Sequence, residues 1–111
     1  MTTEIRQLLH QFAIDMKMLF GESLKQIIVY GSYARGDYTV FSDIDVMILT
    51  TLSDEEIKRS MNDVCDYAFD YMMDYGLDIS PIVKNIDHFN AWVDNLPYYR
   101  NIRDEGVTLI A

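Results

Sequence analysis

At 111 residues, half of them hydrophobic, the chain is long enough for one domain built on one core. Its 18 acidic and 9 basic residues give a net charge of −9, which argues against non-specific binding along a nucleic-acid backbone; such acidity suits a basic protein partner or serves solubility alone. A single cysteine, Cys65, excludes an intramolecular disulfide framework and a multi-cysteine zinc site, and the lack of an apolar run of about 20 residues or of a signal-like N-terminus leads to the expectation of a cytoplasmic protein with no membrane contact.

Apolar residues recur at Ile5, Leu8, Leu9, Phe12, Met16 and Leu19, which predicts an amphipathic helix from Thr3 to Phe20, stopped by Gly21. The β-branched run Ile27–Tyr30 predicts a first strand ending at Gly31. Ser32 then opens a short helix that Gly36 closes. A loop, Asp37 to Ser42, leads into a second strand, Asp43 to Leu49. Ser53 with Glu56 three residues on forms a capping box, which predicts a long helix from Asp54 to Tyr75 ended by Gly76. Its buried face is read as Ile57, Met61, Val64, Cys65, Ala68 and Met72, so that Cys65 belongs to the core. The row Asp63, Asp66, Asp70 and Asp74 is read as solvated, and the row Tyr67, Tyr71 and Tyr75 as either an interface or ordinary surface. Leu77 to Val83 reads as a third strand, with Pro81 marking an edge. Asn85 caps a helix running to about Asn95, with Phe89, Trp92, Val93 and Leu96 facing inward. Pro97 opens a last helix, Gly106 caps it, and Val107 to Ile110 reads as a short edge strand. His10 and His88 lie off the apolar faces and are expected at the surface. The order implies an α/β (α+β) domain, a small mixed sheet flanked by helices, without repeats or linkers.

The chemistry concentrates between Ile27 and Leu49. A strand that ends in Gly-Ser and turns into a helix leaves unpaired N–H groups aimed outward, and a glycine lets a phosphate come close to the backbone. Ten residues separate Ser32 from Asp43, and Asp43 and Asp45 project from the same strand face about 7 Å apart along the chain. Paired carboxylates beside a phosphate turn suit a hard divalent cation, since Mg²⁺ is held by one or two carboxylates together with substrate phosphates. Arg35, one turn into the short helix, either reaches a phosphate oxygen or pairs with Asp37. Ser42, immediately before Asp43, is a further candidate. Asp78, flanked by Leu77 and Ile79, must point to the opposite face from them, toward a site or toward solvent.

The motif Gly31-Ser32-x10-Asp43-x-Asp45, within GSYARGDYTVFSDID, resembles the signature of the nucleotidyltransferase superfamily that includes DNA polymerase β. More narrowly, the chain resembles a minimal nucleotidyltransferase, the antitoxin half of HEPN/MNT toxin–antitoxin pairs. Leu77-Asp78-Ile79-Ser80-Pro81, the ending Leu96-Pro97-Tyr98-Tyr99-Arg100-Asn101-Ile102, and Glu105-Gly106-Val107 extend the likeness over nearly the whole chain. The resemblance implies the polymerase β palm-like fold. It implies a catalytic, metal-binding triad of Asp43, Asp45 and Asp78 holding two Mg²⁺ ions, or Mn²⁺ in their place, with Gly31, Ser32, Arg35 and Ser42 contacting ATP. It further implies that AMP passes to a tyrosine of a cognate HEPN ribonuclease toxin in a hetero-oligomeric complex. Larger superfamily members carry extra domains for the acceptor; here the acceptor is expected to be presented by the partner. The alternatives are an antitoxin that only masks its toxin, a small-molecule transferase of the aminoglycoside-modifying kind, and a nucleic-acid-directed transferase, which the acidic charge disfavours.

Overall fold

Two β-branched apolar runs form the middle of the sheet. In the computed structural model, which describes residues 1–110, β1 (Leu24–Tyr30) pairs antiparallel with β2 (Ile44–Thr50). On its other side β1 pairs antiparallel with β4 (Val107–Ile110), while β2 pairs parallel with β3 (Ile79–Asn85), giving the order β3-β2-β1-β4. The sheet is thus mixed, and its two outer strands are the ones that read most weakly in the sequence. Helices cover both faces. Ile27, Val29, Ile44, Val46 and Ile48 point toward α1 (Thr3–Phe20) and α3 (Asp54–Tyr75), where they meet Leu9, Phe12, Met16 and Val64. Ile28, Tyr30, Met47 and Leu49 point the other way, onto Phe89 of α4 (Ile86–Trp92) and Tyr99 and Ile102 of α5 (Pro97–Glu105). Burial on both faces explains why the central strands read as continuous apolar runs instead of alternating ones.

Local signals set the helix ends. The Thr2 hydroxyl accepts from the Ile5 N–H at 3.2 Å and opens α1. In α3 the capping box is complete: the Ser53 hydroxyl accepts from the Glu56 N–H, and the Glu56 carboxylate accepts from the Ser53 N–H at 3.1 Å. The carboxyl of Glu56 is accordingly held below its usual range by its bonds to Ser53. Gly76 ends the helix in the left-handed region.

The inward face of α3 differs from the sequence reading. It follows Ile57, Val64, Ala68 and Tyr71, and Cys65 is exposed, one helical step round from Val64. Met72, also expected inward, is exposed as well. Tyr71 takes the inward place because its hydroxyl finds a partner there: it donates to Asp15 Oδ2 of α1 at 2.7 Å, and its ring meets Phe12 edge-on at 5.6 Å. The α4 helix is shorter than expected. It ends at Trp92, whose carbonyl accepts from the N–H groups of Asn95 and Leu96 in a turn. Phe89 and Val93 carry its inward contact with help from the half-buried Ile86, while Trp92 and Leu96 stay exposed. Both histidines are exposed, as expected. Asn85 closes β3 and also caps α4, accepting from the His88 N–H at 3.1 Å while donating to the Leu52 carbonyl.

These placements separate two substitutions on one helix. Ser53→Ala is expected to lower unfolding free energy by about 1 kcal/mol, whereas Cys65→Ser stays within about 0.5 kcal/mol of the parent. Urea denaturation of the two variants measures both.

Candidate active site

The site begins where β1 runs out. Gly31 takes φ 73° and ψ −152°, a region open in practice to glycine alone. A Cβ there would also collide with a carboxylate oxygen of Asp45, so the position is closed to a side chain on two counts. Behind it α2 (Ser32–Arg35) makes a single turn, closed by Gly36 in the left-handed region, whose N–H donates to the Ser32 carbonyl at 2.9 Å. The first amides of α2 have no partner within the helix. They face a cavity of about 380 Å³ bounded by Gly31, Ser32, Arg35 and Asp45 on one side and by Tyr98, Asn101 and Ile102 of α5 on the other.

Sheet geometry gathers the carboxylates. Asp45 pairs with Tyr30 across β1–β2 and with Ser80 across β2–β3. Asp43 and Asp78 each stand one residue before their strand, and the parallel register that joins Ile44 to Ile79 sets them side by side. The Ile44 N–H donating to the Asp78 carbonyl at 2.8 Å fixes that junction. A hydrogen bond shared with Asp43, with the nearness of its charge, holds the Asp78 carboxyl above its usual range. Asp45 is raised too, chiefly by partial burial and then by Asp43, while Arg35 acts in the opposite direction. These are the marks of acids crowded on one sheet face.

Among the described residues no group of three or more His, Cys, Asp or Glu side chains is placed to hold a metal ion, so Asp43, Asp45 and Asp78 do not converge as a ready triad. The donor set nonetheless fits an ion of the Mg²⁺ type, which needs one or two carboxylates and takes its remaining oxygens from water and substrate phosphate. A cation bound there would relieve the part of these shifts that comes from the charge of Asp43.

Of the other expected residues, Arg35 lines the cavity and is also tethered, with Nε 3.3 Å from Asp37 and Nη1 3.7 Å from Glu105. The Asp37 ion pair, one of the two sequence alternatives, is therefore present on a side chain that also borders the cavity. Ser42 is elsewhere: its hydroxyl accepts from the Thr39 N–H at 3.0 Å, closing the loop before Asp43, and it does not line the cavity. Tyr33 and Tyr38 stack at 4.2 Å and pin that loop against α2.

Sequence reasoning missed the far wall. The hydroxyls of Tyr30 and Tyr98 hydrogen-bond at 2.7 Å, and burial raises the Tyr30 phenol well above its ordinary value, with Tyr98 adding to the effect. Tyr30 was detectable as the residue before Gly31. Tyr98 and Asn101 were not, because nothing local shows that α5 folds back over this end of the sheet.

The nucleotidyltransferase domain family matches residues 9–104. A "putative protein adenylyltransferase" of Methanocaldococcus jannaschii is 36% identical over 107 residues, 89% of this chain and 91% of that protein. A second protein of that organism with the same activity in its name is 30% identical over 96 residues, 86% of this chain and 95% of its own length. Among solved structures, a "putative nucleotidyltransferase" of Sulfolobus solfataricus superposes with a TM-score of 0.60 at 19% identity, over 92% of this chain and 76% of that one. A toxin–antitoxin structure with AMP-PNP gives 0.53 at 17% identity, over 90% and 71%.

Two substitutions probe the packing at Gly31. Gly31→Ala is expected to cost about 1–3 kcal/mol in chemical denaturation through backbone strain alone, and to displace Asp45. Asp45→Asn acts in the opposite direction. A carboxyl whose folded pKa is raised contributes stability below its unfolded value, and that contribution is lost as pH rises through the folded value. In EDTA, Asp45→Asn should therefore raise the melting temperature at pH 7 by a few degrees and lose that advantage near pH 3, as thermal unfolding by circular dichroism would register.

Proposed function

Because the chain belongs to the nucleotidyltransferase family, we propose that it is an antitoxin that transfers AMP from ATP to a tyrosine hydroxyl of a cognate HEPN ribonuclease toxin. One observation carries the reading: Asp45 packs against the bare Cα of the Gly31 turn while Asp43 and Asp78 stand beside it. Gly31, Ser32 and Asp45 share the wall of one cavity, and Asp43 is close enough to both other acids to raise them, which supports phosphate and cation binding at neighbouring points. Relatives named for protein adenylylation, matched over most of both chains, support a protein as acceptor. The name of a structural neighbour, a toxin–antitoxin pair with a nucleotide analogue, supports the kind of partner.

In the proposed reaction, the amides after Gly31 and the Ser32 hydroxyl hold the β- and γ-phosphates, and Arg35, steadied by Asp37, offsets their charge. Asp43, Asp45 and Asp78 hold Mg²⁺ or Mn²⁺, which when bound neutralises the triphosphate and increases the acidity of the acceptor hydroxyl. The acceptor oxygen bonds to the α-phosphorus as the bond from that phosphorus to the bridging oxygen breaks. Pyrophosphate leaves, and the hydroxyl proton passes to Asp78. Asp43 and Asp78 are exposed, so a side chain borne by a whole protein can reach them. ATP and Mg²⁺ place the reaction in the cytoplasm.

Intact mass spectrometry of the purified HEPN protein with this chain, ATP and Mg²⁺ tests the reading. The toxin is expected to gain mass in AMP-sized steps, at a rate that falls at least about a hundredfold in Asp43→Asn/Asp45→Asn, corresponding to the several kcal/mol a metal centre supplies. EDTA should stop the transfer, and added Mg²⁺ or Mn²⁺ should restore it. An unchanged toxin mass in a complex that still forms, with the toxin silent, would leave a fold kept for binding alone.

A further inference from the structure

The carboxylates have a second neighbour besides the nucleotide cavity. Along the seam between α3 and the edge strand β3 run two apolar cavities of about 370 and 230 Å³ that share Pro81. Ile57, Met61 and Ile82 line the first. Cys65, Phe69 and Met72 line the second, and Asp78 stands on its rim. Phe69 and Met73 are 61% and 67% exposed, so this flank of α3 presents apolar groups that no part of the chain covers. The Asp45 side of the cluster faces the nucleotide cavity, and the Asp78 side opens onto this groove.

The groove's form restricts what can enter. An edge strand invites another strand, but the Ile44 N–H to Asp78 carbonyl bond fixes the alternation of β3 and turns the nitrogen of Pro81 to the open edge. No N–H is available at the centre of that edge, so the occupant is held by side chains, as a helix laid in a groove is. Charge restricts it further. Asp54 and Glu55 line the first cavity beside Lys58, and Asp78 stands on the rim of the second, so carboxylates outnumber the one cation along the groove. A second copy of this chain, at −9 itself, is repelled there, whereas a helix with lysine or arginine beside its apolar stripe is drawn in. Phe41, 92% exposed, lies two residues before Asp43, within about 7 Å of chain, and adds an apolar contact beside the carboxylates.

We infer that this groove is the acceptor's docking site, which seats a basic, amphipathic helix of the partner protein so that its hydroxyl arrives on the Asp78 side while the nucleotide enters from the Gly31 side. The inference rests on the proposed transfer reaction for its occupant but not for its test. Labelled methionine methyl groups report on the groove directly, because Met61, Met72 and Met73 lie in or beside it, Met16 and Met47 are buried in the core, and Met18 is exposed on α1. Titrated without nucleotide, the purified HEPN protein is expected to shift the first three resonances and leave Met16, Met47 and Met18 in place. Phe69→Asp should weaken that binding at least tenfold and leave Mg·ATP affinity within twofold. Shifts confined to Met18, unchanged binding by Phe69→Asp, or groove resonances that move with the concentration of this chain alone would each overturn the site. Groove shifts without any AMP gain by the partner would count against the transfer reaction and support the groove; AMP gain with silent groove methionines would do the reverse.

Discussion

The contact between Asp45 and Gly31 is the constraint on which the rest of the site depends. A carboxylate oxygen occupies the volume where any other residue would place its first side-chain carbon. The Gly31 turn and the strand that bears the acids are therefore locked to each other without a covalent link. The antiparallel register of β1 with β2 delivers Asp45 to that spot opposite Tyr30. The parallel register of β2 with β3 then brings Asp78 beside Asp43. Each pairing has one fixed offset, because a slip of one residue would exchange the two buried faces of the strand and carry Asp45 toward the α1 and α3 side.

This arrangement opposes stability. Three acids on one face repel, Asp45 is partly desolvated, and Gly31 is held in a backbone region that other residues avoid. The cost is borne by a sheet buried on both sides, in which Ile27, Val29, Val46, Met47, Ile48 and Leu49 are fully enclosed. The capping box of α3 and the Tyr71–Asp15 bond brace the helical layer behind it. Strain at the site and order in the core thus belong to the same strands.

Much of this was legible in the sequence where the deciding physics is local. Both bounds of α1 and α3 follow from Thr2, Ser53, Glu56 and the glycines that stop them. The Gly-Ser turn follows from the apolar run that ends at Gly31. What the sequence hid depends on partners far away in the chain. Tyr71 reads as a surface tyrosine until Asp15 is brought to it, and Cys65 reads as core because helical periodicity alone does not distinguish positions one step apart at the margin of a face. Ser42 sits beside Asp43 in sequence, yet the Thr39 amide claims its hydroxyl. Gly106 suits the end of α5, but its lack of a side chain matters more for packing, since a Cβ would strike the Ile102 carbonyl and Ile28 of β1.

The Tyr30–Tyr98 bond joins residues 68 positions apart, whereas the acids are brought together by β1, β2 and β3, which follow one another with α2 and α3 intervening. Closing the longer loop costs more chain entropy and gains its contacts later. The strand pairings that gather the acids therefore close shorter loops than the return of α5 and β4 to β1, which completes the cavity wall. The cavity thus depends on some of the chain's longest-range contacts, so a change that loosened α5 and β4 from β1 would open its far wall and leave the pairings that gather the acids in place.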